Sequence, residues 1–117
     1  MKYKPVASTL TSQLGQKQVF TFAQTVPLQT ERLNTSFEVG SIKGGAVKLS
    51  SHRFHLTSVR LPSDGETGSG DTLHIELVVR HHPGVAPARL NGLVAKLQDI
   101  VTQPRFSEEL LEPGILG

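Results

Sequence analysis

Five histidines, His52, His55, His74, His81 and His82, are the side chains that could ligate a metal or act as a general base near neutral pH. Their spacing argues against both. In "HRFH" the two imidazoles stand three residues apart, which on an extended chain sends them to opposite faces. His81 and His82 also diverge if extended. No Ser-His-Asp pattern, phosphate-cradling glycine loop or paired-carboxylate arrangement stands out. There is no cysteine, so thiolate metal sites and disulfides are unavailable. The expectation is a protein without catalysis, metal or cofactor. A small metal-dependent enzyme built on the histidines is the weaker alternative.

Binding chemistry is better represented. Residues Val39 to Ser63 contain no acid, yet hold Lys43, Lys48, Arg53, Arg60, His52 and His55, interleaved with Ser50, Ser51, Thr57 and Ser58. Cations contact phosphates, and short hydroxyls contact phosphate, sugar or base edges. Set in rows on a rigid sheet, they could dock folded RNA without entering its deep, narrow groove, reading unpaired or looped bases. The net charge of +2 is unevenly placed. Met1 to Ser63 carries eight basic and two acidic residues, +6; Asp64 to Gly117 carries four and eight, −4. A polyanion is the natural partner for the first half. Taken one residue at a time, a solvated strand whose Lys and Thr keep an edge soluble would look the same.

These side chains need a scaffold. In "TLHIELVV" Leu73, Ile75, Leu77 and Val79 fall on one side of an extended chain, and Thr72, His74 and Glu76 on the other. "QVFTFAQTV" (Gln18 to Val26) alternates similarly, "TSFEVGSI" carries Phe37, Val39 and Ile42, and "AVKLSSHRFHLTSVRL" carries six large apolar residues. In that last run the alternation slips between Leu56 and Val59, which predicts a bulge or turn. "PSDGETGSGD", with three glycines and no apolar residue, predicts a long hairpin loop.

After the last strand the period changes. Leu90, Leu93, Val94, Leu97 and Val101 recur at helical spacing, with Pro87 suited to the first turn and Pro104 to the stop. A second helix is predicted from Ser107, as N-cap, to just before Pro113. The fold class expected is α+β, a single domain over 1–117. An antiparallel sheet, comprising an N-terminal hairpin plus about five strands, occupies about 1–82, and two C-terminal α-helices occupy 87–112. Burying five large apolar side chains of the first helix is worth on the order of 10 kcal/mol before entropy. The only large apolar surface to receive them is one face of the sheet, which leaves the other face wet. At 117 residues and 37% hydrophobic content the core is small, so a partner subunit would help. No run approaches a membrane span, and "MKYKPVASTLTSQ" lacks a signal peptide's apolar core, so a soluble, non-secreted chain is expected.

The ending "DTLHIELVVRHHPGVAPARLNGLVAKLQDIVTQPRFSEELLEPG", with "VRLPSDGETGSGDT" before it, is similar to that of coat proteins of single-stranded RNA bacteriophages, the levivirus type. A final one-sided strand runs into a long amphipathic helix, a proline break and a short last helix. The resemblance covers roughly Val47 to Gly114. It implies an obligate, intertwined homodimer in which each subunit gives half of a continuous sheet and its helices cross onto the partner. Leu90, Leu93, Val94, Leu97, Val101, Phe106 and Leu110 would then form the dimer interface. It also implies an icosahedral shell, T=3 by analogy, assembled in a bacterial host's cytoplasm around single-stranded genomic RNA and found in the virion. In many members the inward sheet face binds an RNA hairpin and represses translation.

Carried over by position, the resemblance places Thr72, His74 and Glu76 on that inward face. Arg53, His55 and Thr57 match on the preceding strand, or Ser58 and Arg60 if the parity is shifted by one. Lys43, Lys48 and Ser50 complete the RNA-binding patch. His74 stands where an amide or other base-contacting side chain is expected, and Thr72 where some members have an aromatic stacker. Asp64, Gly65, Glu66, Thr67, Gly68, Ser69, Gly70 and Asp71 match the loop between dimers around the shell's symmetry axes. An RNA-binding module or translational repressor that stays a small oligomer is the alternative reading.

Overall fold

A computed structural model describes residues 7–62 and 70–112. Seven strands precede two helices: β1 (Ser8–Leu14), β2 (Lys17–Phe22), β3 (Gln29–Glu38), β4 (Ser41–Lys43), β5 (Ala46–Lys48), β6 (Ser50–Arg60), β7 (Asp71–His81), α1 (Pro87–Val101) and α2 (Arg105–Leu111). The antiparallel sheet and two C-terminal helices expected from the sequence are both present. Two compact units divide the chain, Met1–Pro83 and Gly84–Gly117.

In the first unit, β1-β2-β3-β6-β7 form one sheet in that order, all neighbours antiparallel, and β4-β5 form a separate ribbon. The N-terminal hairpin is therefore the margin of the main sheet. The ribbon turns at Gly44 and Gly45, whose φ values of +53° and +86° lie in the left-handed region that two-residue hairpin loops demand. Gly40 makes a close approach where β3 gives way to β4. Its N–H donates to Ser50 Oγ at 2.9 Å, and a Cβ there would overlap the carbonyl oxygen of Lys48.

The slip in alternation predicted a bulge between Leu56 and Val59, and there is none. β6 pairs without interruption, from Ser51 to Arg60 with β3 and from Ser50 to Arg60 with β7. Ser58 simply takes an apolar-side position and Val59 a polar-side one. The break in register lies in β1, between Leu10 and Ser12, where Thr11 Oγ1 donates to the Val19 carbonyl at 3.0 Å.

Phe20 and Leu33, directly paired across β2 and β3, are the buried apolar residues of the described chain. Farther along the same face, on β6 and β7, Leu56, Leu73, Ile75 and Leu77 stay exposed, and with Phe22 most of them line an open hollow of about 280 Å³.

In the second unit α1 starts at Pro87, as predicted, and ends at Thr102, whose Oγ1 donates to the Gln98 carbonyl at 2.7 Å. α2 begins three residues earlier than the Ser107 cap predicts. Pro104 is its N-cap and Ser107 lies inside it, while Glu108 sits in the first turn, where an acid complements the helix dipole. Neither helix contains a buried residue.

Candidate nucleic-acid interface

Cross-strand pairing decides which side chains share a face, because residues directly opposite in an antiparallel ladder point the same way. Three consecutive rows cross the sheet from β2 to β7. The first is Thr21, Arg32, Thr57 and His74; the second Val19, Asn34, His55 and Glu76; the third Lys17, Ser36, Arg53 and Val78. A fourth row, Glu38, Ser51 and Arg80, flanks them on one side, and Thr30, Val59 and Thr72 on the other. The face is polar and rich in cations. The intervening rows hold Phe20, Leu33, Leu56 and Ile75, then Gln18, Thr35, Phe54 and Leu77. One sheet thus separates two chemistries.

Register places Arg53, His55 and Thr57 on the face of Thr72, His74 and Glu76. Ser58 and Arg60 belong to the opposite face, so the shifted parity does not occur. Arg60 instead lies across from Asp71, with Nε 3.6 Å from Oδ2. Lys48 stands on the ribbon and reaches the polar face through Glu38, its Nζ 2.6 Å from Oε1. Two residues of the expected patch do not join it. Lys43 is paired with Ala46 on the ribbon, outside these rows. Ser50 is 7% exposed, at apolar-side parity, and its hydroxyl is occupied as acceptor for Gly40. Its sequence neighbourhood is basic, but its position makes it a bracket between strands.

The acids on this face are both engaged. Arg53 Nε lies 2.9 Å from Glu76 Oε1, and both side chains are about half exposed. The hydrogen bond from Lys48, and then its positive charge, hold the Glu38 carboxyl below the usual carboxylate range. Between the rows, His55 Nε2 and His74 Nδ1 meet at 3.0 Å with rings stacked at 5.1 Å. An open depression of about 450 Å³ is lined by Lys17, Ser36, Glu38, Ser51 and Arg53, among others. Such a surface offers phosphates exposed cations and offers bases imidazole faces and an amide. Among the described residues no cluster of three or more His, Asp or Glu side chains is arranged to hold a metal.

Lys17, Arg32, Asn34, Ser36 and Arg80 also belong to this face and were not among the residues singled out from the sequence. The signal was present for β3: in "ERLNTSFE" Arg32, Asn34 and Ser36 alternate with Leu33, Thr35 and Phe37. Arg80 continues the series Thr72, His74, Glu76.

The residues expected at a dimer interface lie on the two helices. Leu93, Val94, Leu97, Val101 and Leu110 are exposed, Leu93 by 68%, whereas Leu90 and Phe106 are partly covered. Ile100 and Leu111 add to this apolar surface. Of the expected inter-dimer loop, Gly70 and Asp71 are described; Asp64, Gly65, Glu66, Thr67, Gly68 and Ser69 lie outside the described residues.

No protein-family model matches the sequence, and no curated protein matches it. Solved structures do share its fold. A chain of the virus-like particle of bacteriophage GQ-907 superposes with a TM-score of 0.71 at 13% identity, over 100% of this chain and 88% of that one. A chain of the virus-like particle of Wenzhou levi-like virus 4 gives 0.64 at 13% identity, over 97% and 80%. The fold is that of levi-like virus-like-particle proteins.

Proposed function

We propose that this chain is the coat subunit of a single-stranded RNA phage: a non-enzymatic structural protein that dimerises, assembles into an icosahedral shell and packages RNA against the polar face of its sheet. The observation that carries the reading is the division of the sheet into a cation-bearing face and an apolar face left unburied on β6 and β7. Its likeness over the whole chain to proteins of virus-like particles supports the assembly role.

A lone chain leaves too much apolar surface in water. α1 buries none of its fifteen residues, and Leu73 and Ile75 on β7 are 60% and 52% exposed. Covering six such side chains contributes on the order of 10 kcal/mol, comparable with the whole stability of a domain. β7 is also the edge of the sheet, a long strand with one side open to pairing. A second copy answers both needs: its β7 extends the sheet and its helices cover the exposed apolar face. Lys17, Arg32 and Arg53 then remain exposed to RNA on both halves of the joint sheet.

Nonspecific affinity through phosphates is the mode this face supports best, since its cations are spread over several strands. Translational repression through a hairpin would need base reading in addition, and Asn34, His55 and His74 are the groups placed for it. Electron microscopy of the protein expressed alone, with nucleic-acid absorbance of any particles, tests the proposal. Closed shells carrying RNA are expected. Discrete small oligomers that bind RNA would favour the module over the coat, and a nucleic-acid-free monomer would refute both.

A further inference from the structure

Two imidazoles meet in the middle of the polar face, among Arg32, Arg53 and Glu76 of the same and adjoining rows. His55 pairs with Glu76 and His74 with Thr57, which makes the two histidines diagonal neighbours across β6 and β7. Their nitrogens are 3.0 Å apart and their rings are 19° from parallel. At that distance one ring nitrogen donates its hydrogen and the other accepts it on a lone pair. The contact therefore requires at least one nitrogen without a proton.

We infer that the His55–His74 pair is a proton-gated phosphate site: on taking up protons it becomes a dication that binds a backbone phosphate of the RNA. This rests on the proposal that the polar face binds RNA. Imidazoles are the side chains whose ordinary titration falls between about pH 5 and 8. When both rings are protonated, both facing nitrogens carry hydrogens and the acceptor is lost. The rings then separate or take an anion between them, and a phosphate oxygen accepts from both. The described charged groups that share this face are Lys17 on β2, Arg32 and Glu38 on β3, Arg53 on β6, and Glu76 and Arg80 on β7, with Lys48 of the ribbon reaching it at Glu38. Cations outnumber acids, and Glu76 and Glu38 are each turned to a cation of their own. A phosphate seated between the rings supplies the negative charge that complements the protonated pair. By reciprocity, RNA draws protons onto the pair as strongly as protons draw RNA onto the face.

The test is the salt dependence of affinity for a short oligouridylate, measured with RNA-free full-length protein near about pH 8 and about pH 5.5. Each phosphate neutralised on a single strand contributes a slope of about 0.7 in log K against log salt, so the one phosphate taken up by the pair steepens it by about that amount. In the His55→Gln/His74→Gln double variant the slopes at the two pH values should coincide. Equal slopes for the unmodified protein overturn the inference while leaving RNA binding in place. Steepening that survives in the double variant also overturns it, by moving the charge to other histidines. Failure to bind the oligonucleotide at either pH refutes the inference together with the RNA-binding proposal.

Discussion

Arg53 and Glu76 are diagonal neighbours on the polar face of β6 and β7, joined by a 2.9 Å contact from Nε to Oε1. The pair is about half exposed, so it contributes only ~0–1 kcal/mol to folding. Its larger effect is to occupy a guanidinium that a phosphate would otherwise take. Glu76→Gln should therefore leave thermal stability nearly unchanged and raise affinity for single-stranded RNA. Arg53→Ala should weaken binding to all sequences alike and lower the salt slope by about 0.7. Fluorescence anisotropy with unrelated oligonucleotides checks both. A loss of affinity in Glu76→Gln would show that the carboxylate itself contacts RNA.

The second ion pair on this face makes a statement about pH. Lys48 depresses the Glu38 carboxyl in the folded chain through a hydrogen bond and its charge. A depressed folded value means stabilisation that is present above the unfolded value and disappears as pH falls through the folded one. Glu38→Gln should thus melt below the unmodified protein at neutral pH, and the gap should close in acid. Both carboxylates flank cations, so the same variant should bind RNA more tightly at neutral pH.

Gly40 and Ser50 hold the bend between the main sheet and the ribbon. A side chain at Gly40 would overlap the Lys48 carbonyl oxygen, so Gly40→Ala should cost about 1–3 kcal/mol. Ser50→Ala leaves the Gly40 N–H without its acceptor and should also cost about 1–3 kcal/mol. Chemical denaturation measures both. Ser50→Ala should not alter the salt slope of RNA binding, which separates a structural bracket from a phosphate contact.

Leu93 on α1 distinguishes a lone chain from a shared core. At 68% exposure its truncation in a monomer would change stability by no more than about 0.5 kcal/mol. Buried against a second copy, Leu93→Ala should cost about 2–5 kcal/mol and make unfolding more sensitive to dilution. Ile75→Asp on β7 should go further and prevent association. Equilibrium unfolding at several protein concentrations resolves the two cases.

Much of this architecture was legible because period is a local property. Leu73, Ile75 and Leu77 against Thr72, His74 and Glu76 fixed a one-sided strand, and Leu90, Leu93, Val94 and Leu97 fixed a helix. Strand pairing is not local, and there the reading thinned. Nothing in the order of residues says that Arg32 crosses from Thr57, or that His55 meets His74 diagonally, since both depend on register between segments far apart in sequence. β6 misled for a related reason: Ser58 and Val59 depart from the pattern without a bulge, because two neighbouring strands hold its register. Ser50 was misplaced because it lies in a basic segment, while its hydroxyl is committed to Gly40, ten residues earlier. Gln18 and Thr35 are likewise buried at apolar-side positions of β2 and β3, which their polar side chains do not announce.

The proposal depends most on two chains sharing their apolar surfaces. Light scattering of the RNA-free protein across a dilution series measures that directly. The smallest folded species should have twice the mass of the chain, and dilution below its dissociation constant should bring unfolding with separation. A folded, soluble species of single-chain mass, with intact helices by circular dichroism, would contradict the account.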